Sequence, residues 1–146
     1  MEVDRNGLEV LGREECLRLL ALATLGRVGF TSGALPAVLP VNFRLAGERI
    51  LLRTSRGSTL DVALQNAVVA FEVDDFDPID HSGWSVAVTG VAAEIDDAAG
   101  DATYSGERPQ ERLGLWALEG DATVVAISTE FVSGRRIAAG SGSLRP

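Results

Sequence analysis

Between residues 13 and 25 the apolar side chains Cys16, Leu17, Leu19, Leu20, Leu22 and Ala23 recur at three- and four-residue steps, and Gly26 follows. That spacing predicts an amphipathic helix stopped by a glycine. The period then shortens to two, with Val28 and Phe30 alternating with Arg27 and Gly29. A strand is predicted there, followed by a turn at Thr31-Ser32-Gly33 and a β-rich run over residues 37–45. Pro40 inside that run lacks a ladder donor, which points to an edge strand or a bulge. Ala46-Gly47-Glu48 then reads as a tight turn into a strand over 49–54, making the two runs a hairpin.

After Thr54 the pattern changes again. Ser55-Arg56-Gly57 is a polar connector, and Leu60, Ala63, Leu64 and Ala67 repeat at helical spacing, with Ser58 or Thr59 placed to cap them. Residues 68–73 return to a strand, 74–83 form an acidic loop, and 84–95 read as a long strand in which Gly90 marks a bulge. Residues 96–106 are a polar connection and 109–118 a short helix. A β-branched run follows over 123–129, and 130–137 reads as a further strand interrupted by Gly134. Roughly six strands joined as hairpins, with two or three short helices, predict a mainly β fold: a small antiparallel barrel with helical additions.

With 146 residues the chain suits a single domain, expected over 1–138, with 139–146 as a flexible tail. The start has early acids and no apolar leader, and no stretch approaches the ~20 apolar residues of a membrane span. A cytoplasmic protein with no membrane partner is expected. The formal net charge of -8, from 21 acids and 13 basic residues, is the wrong sign for gripping a phosphate backbone, so nucleic acid is not an expected partner. Every basic residue is arginine, which excludes Schiff-base chemistry on a lysine amine. The lone Cys16 sits among leucines and reads as a buried structural thiol.

Chemistry concentrates in Arg53-Thr54-Ser55-Arg56-Gly57-Ser58-Thr59-Leu60, where two arginines and four hydroxyls meet at a strand-to-helix junction. Arginine clamps phosphate bidentately, and Gly57 lets the backbone approach closely. The same composition also suits an ordinary capped turn with exposed arginines.

Five segments in order carry a resemblance. They are Gly26-Arg27-Val28-Gly29-Phe30, Pro36-x-Val38-x-Pro40-Val41-Asn42-Phe43, Arg53-Thr54-x-x-Gly57, Val69-Ala70-Phe71-Glu72-Val73-Asp74 and Gly83-Trp84-Ser85-Val86-x-Val88-x-Gly90. Together they resemble the pyridoxamine 5′-phosphate oxidase-like flavin-binding family, nitroimidazole-resistance-type members included. The resemblance implies an antiparallel split β-barrel of the FMN-binding split-barrel type that forms a homodimer, with FMN in clefts between the subunits. By position it places Val41 and Asn42 beside the flavin ring and Arg53, Thr54, Ser55, Gly57, Ser58 and Thr59 at the phosphate. Trp84 and Ser85 lie nearby, and Trp116 comes from the partner subunit. Packing is the alternative fate of both tryptophans.

Relatives often carry lysine where this chain has Thr59, and its loss removes a cation from the phosphate turn. Glu72 sits on an otherwise apolar strand, either as a cofactor contact or paired with an arginine such as Arg53. His81 follows Asp74, Asp75, Asp77 and Asp80, a spacing that fits an acidic loop and no metal site. The function expected is a flavin-dependent oxidoreductase acting on a small aromatic or nitro-aromatic substrate, FMN carrying the electrons. The alternatives are a non-catalytic FMN or deazaflavin (F420) carrier and a dimeric domain that binds no cofactor.

Overall fold

The computed structural model describes residues 1–95 and 122–138. In chain order the described elements are β1 (Glu9–Leu11), α1 (Arg13–Leu22), β2 (Leu25–Ser32), β3 (Leu35–Asn42), β4 (Arg44–Ala46), β5 (Arg49–Ser55), α2 (Thr59–Ala63), β6 (Ala67–Phe76), β7 (Gly83–Glu94), β8 (Ala122–Ser128) and β9 (Phe131–Ile137). All paired strands are antiparallel, and they form a curled half-barrel ordered β3-β2-β6-β7-β8-β5-β4. β9 adds to β7, and β1 adds to β9. The predicted connection 96–106, the helix 109–118 and the tail 139–146 lie outside the described residues.

The split arises on β7. One edge carries β6 along its length, from Phe76↔Gly83 to Ala67↔Ala92. The other edge is shared: Gly83 to Thr89 pair with β9, and Ala92 to Glu94 pair with β8. At the changeover stands Gly90, where a Cβ would lie 2.0 Å from the Ser128 carbonyl oxygen. Gly90 is therefore no bulge, because the β6–β7 ladder runs straight through Val69↔Gly90. Its missing side chain admits the end of β8.

Inward-facing Val28, Phe30, Ile50, Leu52, Val69, Phe71, Val73, Val86, Val88, Val125 and Ile127 fill the core with Leu64 and with Cys16, Leu19 and Leu20 of α1. Burial pushes the Cys16 thiol above its ordinary value, consistent with a packing role. On the reverse of β5 and β8 a smaller cluster gathers Leu51, Val124 and Ala126. Ion pairs fasten the N-terminal segment to β9: Arg136 binds Glu9 and Glu15, and Arg135 binds Asp4. Such partly exposed pairs contribute little individually.

Several boundaries differ from expectation. α1 ends at Leu22 because Ala23 is already extended and Leu25 pairs with Asn42, making 25–32 one strand. The turn after β2 is Gly33-Ala34, both at positive φ, with Ser32 still paired to Leu35. The expected run 37–45 is two strands. Phe43 leaves the ladder, donates its N–H to the Thr24 carbonyl and packs edge-on to Phe71 at 4.8 Å. Only Arg44–Ala46 makes the hairpin with β5, while β3 pairs with β2 and ends the sheet path, the edge place that Pro40 favours. α2 stops before Ala67, which already pairs in β6. The acidic loop shortens, since β6 continues to Phe76. Gly134 lies within an unbroken β9, and β1 was not expected at all.

Gly90→Ala is expected to lose roughly 1–3 kcal/mol, the usual cost of overpacking a tight site. Urea unfolding measures it, and an unchanged midpoint and slope would contradict the account of β7.

Candidate functional site

The junction between β5 and α2 folds around one buried carboxylate. Asp61, 6% exposed, accepts the Thr54 hydroxyl at 3.0 Å, the Gly57 N–H at 2.8 Å and the Gln65 side-chain amide. Its own N–H donates to Ser58 Oγ at 3.1 Å, so Ser58 is the N-cap of α2. Gly57 has φ 79, a conformation glycine adopts without strain. Thr54 and the Gly57 N–H thus face inward. The surface of the turn is left to half-buried Arg53, Ser55 and Ser58 and to exposed Arg56 and Thr59. Arg56 reaches Glu94 on β7 at 3.6 Å.

Asn42 ends β3 at the same corner. It lies two residues before Arg44, and Arg53 two residues after Leu51, where Arg44 and Leu51 pair directly. Asn42 Nδ2 is buried with no hydrogen-bond partner among the described residues, a costly arrangement unless something else accepts from it. Val41 points the other way, 8% exposed in the main core.

A second group of candidate site residues lies on the outer face of the sheet. Glu72 faces Arg27 across β2, and the Arg27 Nη1 contacts Glu72 at 3.1 Å and Asp74 at 2.9 Å. The partner of Glu72 is therefore Arg27 and not Arg53. Burial, then the hydrogen bond and charge of Asp74, push Glu72 up to about 7 against the pull of Arg27. Ser85 stands on the same face, between Asp74 and Arg135. Around this trio the face is apolar or small: Val38, Gly29, Ala70, Thr89 and Phe131 form one cross-strand row. Val38 is 66% exposed and Phe131 69%.

Trp84 starts β7 on the opposite, core-facing side, between Asp75 and Arg136, and packs against the core. It borders a surface cleft of about 630 Å³ shared with Phe76, Asp77, Pro78, Arg136 and Ile137. His81 sits in the turn beyond, its ring edge-on to Phe76, and no metal-ligating cluster occurs among the described residues. Trp116 lies outside the described residues. Trp84 and Glu94 are at opposite ends of β7, on the order of 30 Å apart at roughly 3.3 Å per residue. The Arg53–Thr59 turn is at the Glu94 end, so one chain does not bring Trp84 and Ser85 to it.

Residues 12–136 match the family model described as pyridoxamine 5′-phosphate oxidase. The chain belongs to this family. An uncharacterized protein of Mycobacterium tuberculosis is 43% identical over 136 residues, covering 90% of this chain and 86% of that one. A FAD-binding protein from Mycobacterium smegmatis is 30% identical, with a TM-score of 0.68 over 90% of this chain and 99% of its own. A putative pyridoxamine 5′-phosphate oxidase from Corynebacterium glutamicum is 25% identical, with a TM-score of 0.72 over 95% of this chain and 99% of its own. No helix among the described residues is long and apolar enough to cross a membrane.

Within this pyridoxamine 5′-phosphate oxidase family member, two residues of the corner and the outer face escaped the sequence reading. Asp61 was hidden because an acid in a helix's first turn is ordinary. Arg27 was hidden because its partners are 45 and 47 residues away. Asp61→Ala strands the buried Thr54 hydroxyl and the Gly57 N–H, and is expected to lose roughly 1–3 kcal/mol. Chemical denaturation checks this; a variant as stable as the parent would mean that Asp61 does not organise the turn.

Proposed function

We propose that this chain is a flavin-binding homodimer, and that it works as a flavin-dependent oxidoreductase on a small aromatic or nitro-aromatic compound. The observation that carries the reading is the corner where the orphaned Asn42 amide faces the Arg53 strand, in a family whose solved relative from M. smegmatis binds FAD. A flavin offers acceptor atoms for the buried amide and an anionic phosphate of the kind arginine clamps. Bound there, FMN would supply hydride or electron transfer. Arg53 and the Ser55, Ser58 and Thr59 hydroxyls would hold the phosphate, and Asn42 would orient the ring. Glu72 and Ser85 on the outer face, Trp84 at the far end of β7 and Trp116 would complete the cleft from the second copy.

The exposed Val38, Phe131, Val68 and Val91 side chains on the outer face support pairing, since clustered exposed apolar groups favour an interaction site. Light scattering at micromolar concentration is expected to give a dimer, and a monomer there would defeat the pairing.

A non-catalytic carrier is the second reading, favoured by Thr59. That residue brings no cation to the turn, and the Asp61 carboxylate lies just beneath. Titrations with FMN, FAD and F420, followed by reduction of the loaded protein with nicotinamide cofactors, separate the two readings. A flavoprotein that is never reduced or reoxidised by small substrates is a carrier.

Arg53→Ala is expected to weaken FMN binding by about 1.5–3 kcal/mol, the range for a hydrogen bond to a charged group. Equal affinity in calorimetry would move the phosphate elsewhere. Thr59→Lys is expected to tighten FMN, by an amount that shrinks with added salt because exposed charges are screened.

A further inference from the structure

The trio Arg27, Glu72 and Asp74 is a cluster of charge whose immediate same-face neighbours on β2, β3, β6 and β7 are uncharged. On β2 it is flanked by Leu25 and Gly29, on β3 by Pro40, on β6 by Ala70, and on β7 by Ala87 and Ser85. Beyond Ala87 stands Ser133 of β9. The next charge across the sheet is Arg135, opposite Ser85, and its guanidinium is bound to Asp4 at 2.9 Å. Among the described residues, Arg27 and Asp74 are thus the charges that face Glu72. One guanidinium bridging two carboxylates leaves an excess negative charge whenever both are ionised.

What covers this face matters to that charge. The row Val38, Gly29, Ala70, Thr89 and Phe131 and the exposed pair Val68↔Val91 make a low, apolar surface around the island. A second copy is the occupant that would also bring the Trp84 end of β7 to the distant Arg53–Thr59 turn. We propose that the outer face pairs with a second copy of this chain and that pairing takes up a proton at Glu72, which stands beside Asp74, so that the dimer tightens from alkaline toward neutral pH. The proposal rests on the pairing read above.

Its physical basis is desolvation. Two copies joined about a two-fold axis bury two such islands under one interface. A buried carboxylate beside another carboxylate is disfavoured in its charged form, and a proton on one of them removes the excess charge. Glu72 already sits at about 7 in the single copy, and covering the face raises it further. The sign follows: pairing is favoured as pH falls through the raised value of the dimer. It levels off below about 7, where the single copy holds the proton too. With at most one proton taken up per protomer, the dimerisation constant changes by up to about 100-fold per pH unit on the alkaline limb.

The test is sedimentation equilibrium between pH 6 and 9 on the full chain, at concentrations spanning the dissociation constant. Wild type is expected to dissociate progressively above neutrality. Glu72→Gln, which mimics the protonated acid, should stay paired at high pH with no slope, and Asp74→Asn should flatten the slope as well. Ala70→Arg, in the middle of the face, should be monomeric throughout. A flat wild-type profile, or the same slope in Glu72→Gln and Asp74→Asn, overturns the proton linkage while leaving the dimer standing. A dimer that survives Ala70→Arg removes the interface from this face. A wild-type chain monomeric at every pH defeats the pairing itself.

Discussion

β7 must serve two partners on one edge, and the contact that lets it do so is the Ser128 carbonyl against the bare backbone of Gly90. On one side of that point the strand holds β9, on the other β8. Because β8 carries β5, and β5 leads into α2, the Ala92–Glu94 pairing is the ladder that joins the Arg53–Thr59 corner to β7. Because β9 carries β1 and supports α1, the other end of the molecule hangs from the Gly83–Thr89 pairing. The split is also what separates the two sets of candidate site residues along one strand.

From this separation comes the division of labour between faces. The inner face is closed by Phe71, Val86, Val88 and the helix α1, and among the described residues it holds no charged group at its centre. The outer face is not covered by any described element and carries the Arg27–Glu72–Asp74 cluster beside apolar or small residues. A carboxylate pair tolerated in this position is poised to respond to whatever removes water from it. The buried Asp61 is its counterpart within the turn, satisfied by hydrogen bonds from Thr54, Gly57 and Gln65.

The fold class was legible because strand runs such as 84–95 and 123–129 alternate or stay β-branched, and because five motif segments stand in order. Boundaries were less legible where tertiary contacts overrode local pattern. Nothing near Phe43 in sequence says that its ring will leave the ladder for Phe71, and that one departure turned an expected hairpin strand into two strands with different partners. β1 has only three residues and exists because β9 offers it an edge. At the candidate site, Arg53, Ser58 and Thr59 stood out from composition at a strand-to-helix junction. The inward turn of Thr54 and the partner of Glu72 were not, since both depend on residues brought together by the sheet.

The central claim is that one flavin site is assembled from opposite ends of two chains. Mixing two variants tests it directly: Arg53→Ala, which damages the phosphate corner, and Ser85→Arg, which blocks the outer face near the other end of β7. Each variant alone should bind FMN poorly. After the two are unfolded, mixed and refolded together, mixed dimers should contain one undamaged site, restoring roughly a quarter of all sites to wild-type affinity in a flavin titration. No restored high-affinity binding in a verified mixed dimer would place the whole site within a single chain and contradict the account.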